Sequence, residues 1–339
     1  MKNYFSSLEK KHFPVMLNEV IQACLPINKD QLIIDCTFGG GGYSKELLKL
    51  PGIKVIALDR DKSVISRAKR LEKNFPNKFT FYNEKFSNLD KVIRKENEPD
   101  IIIFDLGLSS FQLQDYSRGF SFKASEKIDM QMGLSKISAE DVINKLDEKS
   151  LKLIIKILGE EQEAGKIAKN IIKARTVKKI VTVPELVKII EASKKKNYNK
   201  KINVSTKTFQ ALRIFVNKET TELIEGLIKA SQLIKFGGKI IVISFHSIED
   251  KIIKYYFTNY SSNKSNPSRY MPIENNQKNS FFEKYKNNFL TPTPEELIKN
   301  SASRSAKLRE AIRTEQEFIY PKEFKEKFKK YTDIENALI

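Results

Sequence analysis

The stretch Ile33 to Ser44, IIDCTFGGGGYS, decides how the rest of the chain is read. An apolar run meets an acid, Asp35, and passes into four consecutive glycines, Gly39 to Gly42. A backbone without Cβ atoms takes positive φ readily and lets a ligand come close to its N–H groups. The pattern predicts a buried strand over 32–36, a turn built to touch a ligand, and a helix from Tyr43 to Leu50 that Pro51-Gly52 ends.

The same grammar repeats downstream. Ile53 to Leu58 is a second apolar strand, closed by Asp59, and a helix over 63–73 follows with Val64, Ala68 and Leu71 on one face. A third strand over 78–82, a helix over 86–94 and a fourth strand at 101–106, IIIFDL, complete the series, with another acid, Asp105, near the strand end. Upstream, HFPVMLNEVIQACL (12–25) predicts a helix with proline in its first turn, packed beside the first strand. Helices alternating with apolar runs that are buried on both faces define an α/β fold with a doubly wound, Rossmann-like parallel sheet.

After Asp105 the rhythm changes, and the next strand pattern, KIIVIS, is not reached until Lys239. Between them lie an aromatic, Ser- and Gly-containing loop over 107–132, a helical region over 138–175 with Ser138 and Asp141 as a capping box, and a second capped start at Thr182-Val-Pro-Glu185. Residues 193–207 hold six lysines and no acid and predict an exposed basic linker, and a single long helix is expected over 208–236. These features predict a helical domain at 136–206 set inside an α/β domain made of 1–135 and 207–339. Beyond the fifth strand, a helix over 248–256, a polar mobile stretch over 258–288, a basic run over 297–313 and a helical tail are expected.

Composition narrows the class. A chain of 339 residues buries a sizeable core unaided, and the formal charge of +19 with a pI near 9.6 points to a polyanionic partner such as nucleic acid. Two cysteines, Cys24 and Cys36, and two histidines, His12 and His246, make no structural zinc set, so no metal is expected. No apolar run reaches the ~20 residues of a membrane span, and no signal-peptide pattern opens the chain. A cytoplasmic protein with reduced thiols is the expectation.

In such a sheet, ligands bind beyond the carboxyl ends of the strands, where strand order reverses. Asp59 stands 20 residues past Gly39, where a carboxylate meets a ribose hydroxyl pair. The dinucleotide fingerprint G-x-G-x-x-G/A fails at Ser44, and Gly42-Tyr43-Ser44 lacks the lysine of a phosphate-cradling loop. The spacing of Asp35 to Gly39 is of the kind seen in S-adenosylmethionine enzymes of this sheet type. A nicotinamide-dependent oxidoreductase and a non-catalytic RNA-binding scaffold are the alternatives.

Eight segments then carry a specific resemblance: HFPVMLNEV (12–20), DCTFGGGGYS (35–44), ALDRD (57–61), FDLGLSSFQL (104–113), RGFSF (118–122), TFQALRIFVN (208–217), GGKIIVISFHSIED (237–250) and SRSAKLR (303–309). In this order they resemble the RsmH/MraW family of 16S ribosomal RNA (cytosine-N4)-methyltransferases over nearly the whole chain. The resemblance implies a class I S-adenosylmethionine-dependent methyltransferase sheet with a helical substrate-recognition insertion. It also implies methylation of N4 of cytidine 1402 in 16S rRNA of the small ribosomal subunit, with a homodimer among the assemblies left open. It places cofactor contacts at Gly41, Gly42, Tyr43, Asp59, Phe86, Asp105 and Gln112, with Asp105 also a candidate catalytic residue.

The chain departs from the family pattern at Tyr43 (usually His), Phe111 (Pro), Gln131 (Arg) and Asn203-Val204-Ser205 (a His-Pro-Ala-type run); Ala302 and Ser301 stand at its Arg and Pro positions. For the chemistry, Asp105 or the Ser109-Ser110 pair would accept a hydrogen bond from the target amine. Phe111, Phe120 and Phe122 would either stack on an extruded base or cover the insertion. His246 would touch substrate or bond a backbone group, and Lys194 to Lys201 and Arg304 to Arg309 are candidate phosphate contacts.

Overall fold

Residues 14–26, 30–94, 96–194, 203–262, 280–283 and 285–337 are described by a computed structural model. Six strands form one sheet: β1 (Gln31–Asp35), β2 (Ile53–Leu58), β3 (Phe79–Tyr82), β4 (Ile101–Asp105), β5 (Lys239–Ser244) and β6 (Lys307–Ile312). Their order is β3-β2-β1-β4-β5-β6, parallel except for β6, which pairs antiparallel with β5. Strand order reverses between β1 and β4, so the cleft lies where Asp35 and Asp105 end adjacent strands.

Helices cover both faces: α1 (Leu17–Ala23), α2 (Gly42–Leu47), α3 (Ile65–Asn74), α4 (Leu89–Val92), α5 (Ser110–Gln114), α6 (Ala139–Lys145), α7 (Glu148–Leu158), α8 (Ala164–Val177), α9 (Val183–Ser193), α10 (Thr206–Asn217), α11 (Glu219–Leu233), α12 (Ser247–Asn259), α13 (Pro294–Lys299) and α14 (Lys322–Ala337). Alternation along the strands assigns the faces. Ile33, Ile101, Ile103, Ile241 and Ile243 pack in one cluster with Val20, Leu47 and Ala68 of α1 to α3. Ile34, Ile102, Phe104, Ile240 and Val242 face the other way, into the larger core that α11, α12 and the inserted helices share.

Local differences from the sequence expectations have identifiable causes. The first helix begins at Leu17 rather than at the proline, because Met16 takes φ 53° and its N–H donates to Glu296 Oε1 at 2.8 Å. The region expected as one helical stretch over 138–175 divides into three, with Asp147 capping α7 through Ser150. The long helix expected over 208–236 breaks at Lys218, which takes φ 52° between α10 and α11. β6 was not anticipated: the basic run folds as an edge strand with Arg309 buried against Asp250 and Tyr285. Of the polar stretch expected to be mobile, 263–279 lies outside the described residues, while Phe281 and Phe282 are fully buried in an aromatic cluster with Tyr256, Phe257 and Phe324.

The Lys218 break is held by Asn217, which is fully buried. Its amide donates to the Met130 and Arg213 carbonyls at 2.8 and 2.9 Å, and its oxygen accepts from Met132 N–H and the Ser135 hydroxyl at 2.8 and 2.6 Å. Arg60, directly after β2, donates to the Asn217 carbonyl at 2.7 Å. One side chain thus fastens the loop after α5 to the return helix. Asn217→Ala strands buried groups in that loop, and urea unfolding is expected to show a loss of about 2–3 kcal/mol. A loss under about 0.5 kcal/mol would mean that the loop holds its position without this amide.

Candidate active site

The turn after β1 is fastened by a buried carboxylate. Asp35 accepts from the Ser44 hydroxyl at 2.6 Å and from Thr37 N–H at 3.2 Å, which draws the first turn of α2 back against the strand end. Burial holds its pKa above the usual carboxylate range, with these bonds acting in the opposite sense. Thr37 passes the connection on, its hydroxyl oxygen accepting the Asp105 N–H at 2.7 Å. Gly41 caps α2 with φ 75°, and a Cβ there would lie 2.7 Å from the Phe38 ring, so only glycine fits.

Beyond the strand ends opens a cavity of about 270 Å³. Of the residues expected at a cofactor site, Gly42, Tyr43, Asp59, Phe86, Asp105 and Gln112 line it, while Gly41 lies behind them as the helix cap. Asp59 accepts from Gly39 N–H at 2.7 Å and from Asp61 N–H at 2.8 Å. Burial outweighs these bonds and pushes its pKa up to about 6. Phe86 meets Phe104 edge-on at 5.3 Å and is seated on Gly226 of α11, where a Cβ would come within 2.5 Å of the ring.

Gln112 is positioned by two partners. In a capping box with Ser109 its oxygen accepts Ser109 N–H at 2.9 Å, and its amide donates to Asp61 at 2.7 Å. The same Asp61 oxygen takes Arg118 at 2.6 Å, and Arg118 also donates to the Gln131 carbonyl at 2.6 Å. Burial alone would raise the Asp61 pKa, but the bonds from Gln112, Ser63 and Arg118 bring it below the usual range.

Asp105 differs from its neighbours. Its Oδ1 is buried and has no hydrogen-bond partner among the described residues. The Tyr43 hydroxyl stands beside it and donates to the Val15 carbonyl. Burial first, and then the charge of Asp35, hold the Asp105 pKa well above the carboxylate range. A buried carboxyl oxygen without a partner can accept from an incoming N–H donor, most strongly when the group is ionised.

The wall opposite comes from residues that the sequence reading did not anticipate. Arg213 of α10 forms a forked pair with Glu219 of α11, both bonds at 2.9 Å. Glu222 of α11 accepts from Ser87 N–H at 3.1 Å and its hydroxyl at 2.8 Å, gripping the turn that carries Phe86. Pro14, Val15, Asn300 and Ala302 close the cavity from the two ends of the chain. The available signals were the TFQALRIFVN segment, which carries Arg213, and Gly226, since a glycine inside a helical pattern can have a packing reason.

His246 takes the backbone-bonding alternative: it caps α12, its Nδ1 accepting Glu249 N–H at 3.4 Å. Glu219, His246 and Glu249 bring three potential metal-ligand atoms within 4.8 Å of one another, but Arg213 already neutralises Glu219 and Glu249 closes the capping box. Phe120 is buried and Phe122 packs on Phe209, so these two cover the core, while Phe111 lies at the surface under Arg67. Of the candidate phosphate contacts, Lys194 is half-buried in a pair with Glu161, Arg309 is buried in one with Asp250, Arg304 is exposed, and Lys195 to Lys201 fall outside the described residues.

The MraW methylase family pattern matches residues 9–314. The chain belongs to that family. It is 41% identical over 310 residues to the protein named ribosomal RNA small subunit methyltransferase H of Bartonella tribocorum, covering 91% of this chain and 92% of that one. It is 40% identical over 310 residues to the protein of the same name from Orientia tsutsugamushi, covering 89% and 98%. Among solved structures, an rRNA methylase from Streptococcus thermophilus aligns over 88% of this chain and 92% of that one, at 12% identity and a TM-score of 0.38. Membership of a methylase family excludes the nicotinamide and scaffold alternatives.

The Asp61 hub gives a measurable expectation. Arg118→Met removes the charge partner of a buried carboxylate and should cost about 2–3 kcal/mol at pH 7 by urea unfolding. The depressed Asp61 pKa contributes stability above the unfolded value near 3.8 that is lost as pH falls, so the difference between wild type and variant should shrink at pH 3. An equal difference at both pH values would show that the pair is not electrostatic in origin.

Proposed function

We propose that this methylase uses S-adenosylmethionine to methylate the N4 amine of a cytidine in 16S rRNA of the small ribosomal subunit, position 1402, in the cytoplasm. The observation that carries this is the unpaired Asp105 oxygen, buried in a cavity whose other walls are a glycine turn and the Asp59 carboxylate. The donor set fits the cofactor. Asp59 keeps lone pairs for two ribose hydroxyls, Phe86 offers an aromatic face to a base, and Gly42, Tyr43 and Gln112 line the space between them, with Gly41 setting the turn.

When bound, S-adenosylmethionine supplies an electrophilic sulfonium methyl group. The chain's own residues align and desolvate. Holding donor and acceptor in line supplies roughly 7–11 kcal/mol of the barrier reduction. The N4 lone pair is delocalised into the cytosine ring, so an acceptor for one amine hydrogen favours the pyramidal, nucleophilic form. In its ionised form Asp105 offers Oδ1 as that acceptor and takes the proton that the amine loses.

Two measurements test this reading. Tritium transfer from labelled cofactor to small-subunit particles, followed by nucleoside analysis, should give N4-methylcytidine; label in any other product would overturn the assignment. Cofactor affinity should also depend on pH. Ribose hydroxyls donate to the ionised form of Asp59, whose pKa in the free protein is about 6. Affinity should therefore be level above that value and fall about tenfold per pH unit below it. Asp59→Ala should weaken binding about a hundredfold and abolish the pH dependence. Unchanged calorimetric affinity in that variant would remove the ribose role.

A further inference from the structure

The C-terminal helix α14 (Lys322–Ala337) lies beyond the residues that the family pattern matches, yet it completes a helix of the cavity wall. The first turn of α11 has no cap of its own: the residue at its N-cap, Lys218, is left-handed and makes no side-chain capping bond. Glu335 of α14 supplies the cap from elsewhere in the chain. Its carboxylate accepts Thr220 N–H at 3.0 Å, Thr221 N–H at 2.8 Å and the Thr221 hydroxyl at 2.5 Å. Glu335 is fully buried. Two surface contacts reinforce the docking, Lys218 donating to Asn336 at 2.9 Å and Lys325 pairing with Glu225 at 2.5 Å.

α11 is also the platform on which Phe86 rests. One residue past the capped turn, Glu222 holds Ser87 by both its oxygens, and one turn further Gly226 receives the Phe86 ring. Leu223 and Glu219 of the same helix line the cavity. Free N–H groups at a helix start are satisfied by a cap or the turn frays, and fraying here would displace Glu219 and Glu222 together.

We infer that Glu335 is a positioning residue of the cofactor site, capping α11 from the C-terminal helix so that Glu222 and Gly226 hold Phe86 in place against the cavity. The inference rests on the proposal that this cavity takes S-adenosylmethionine. It assigns to a segment outside the family match a part in the affinity for the cofactor, exerted without contact with it.

The test is calorimetric titration of the full chain with S-adenosylmethionine, comparing wild type with Glu335→Gln, Glu335→Asp and Thr221→Val. Positioning predicts a dissociation constant raised about fivefold in Glu335→Gln, partial recovery in Glu335→Asp, and unchanged stoichiometry. A purely structural role would lower the stoichiometry as molecules unfold and leave the constant of the binding fraction at the wild-type value; that result overturns the inference. If Glu335→Gln does not fold, Thr221→Val, which removes one of the three bonds, should still raise the constant measurably, and a wild-type value there overturns the inference equally. Absence of binding heat with the wild-type chain would remove the cofactor reading and the inference with it, whereas wild-type binding that all the variants share removes the inference alone.

Discussion

The site depends on one buried acid. Asp35 carries a carboxylate where solvent cannot reach it, and the cost of that burial is offset by Ser44 and Thr37, the residues that shape the turn. Because Thr37 also receives Asp105 N–H, the ends of β1 and β4 are locked in one geometry at the switch point of the sheet. Gly39 and Gly41 can then be held in positive φ, outside the strand ladder. Without that fastening, four glycines in a row would be a mobile loop, since glycine loses more conformational freedom on ordering than any other residue.

Around this anchor, side chains work in linked pairs rather than singly. Asp61 couples Gln112 to Arg118, and Asn217 couples the loop after α5 to the α10–α11 break. Each pair joins segments that lie far apart in the chain. The helices between β4 and β5 share a continuous apolar core with one face of the sheet.

The five parallel strands were legible in the sequence because they are apolar runs bounded by acids, glycines and prolines, and these are local signals. Asp59 and Asp105 were legible for the same reason, as strand-end acids after such runs. What escaped was set by distance. Nothing near Lys218 announces a helix break, since the break is made by Asn217 reaching Met130 and Met132. Arg309 looked like a phosphate contact because its partners, Asp250 and Tyr285, lie far away in the chain. The roles of Glu222 and Glu249 were hidden in the same way, since an acid on a helix is ordinarily a solvated face. Tyr43, a departure from the family pattern, keeps its place in the cavity by turning its hydroxyl to the Val15 carbonyl.

Walls drawn from residues nearly 290 positions apart set the order of events during synthesis. Met16 is held by Glu296, 280 residues away, and the cavity draws walls from Pro14 at one end and Ala302 at the other. A chain emerging from the ribosome can form the early β-α units at once, but it cannot close the pocket until Asn300 and Ala302 have been added.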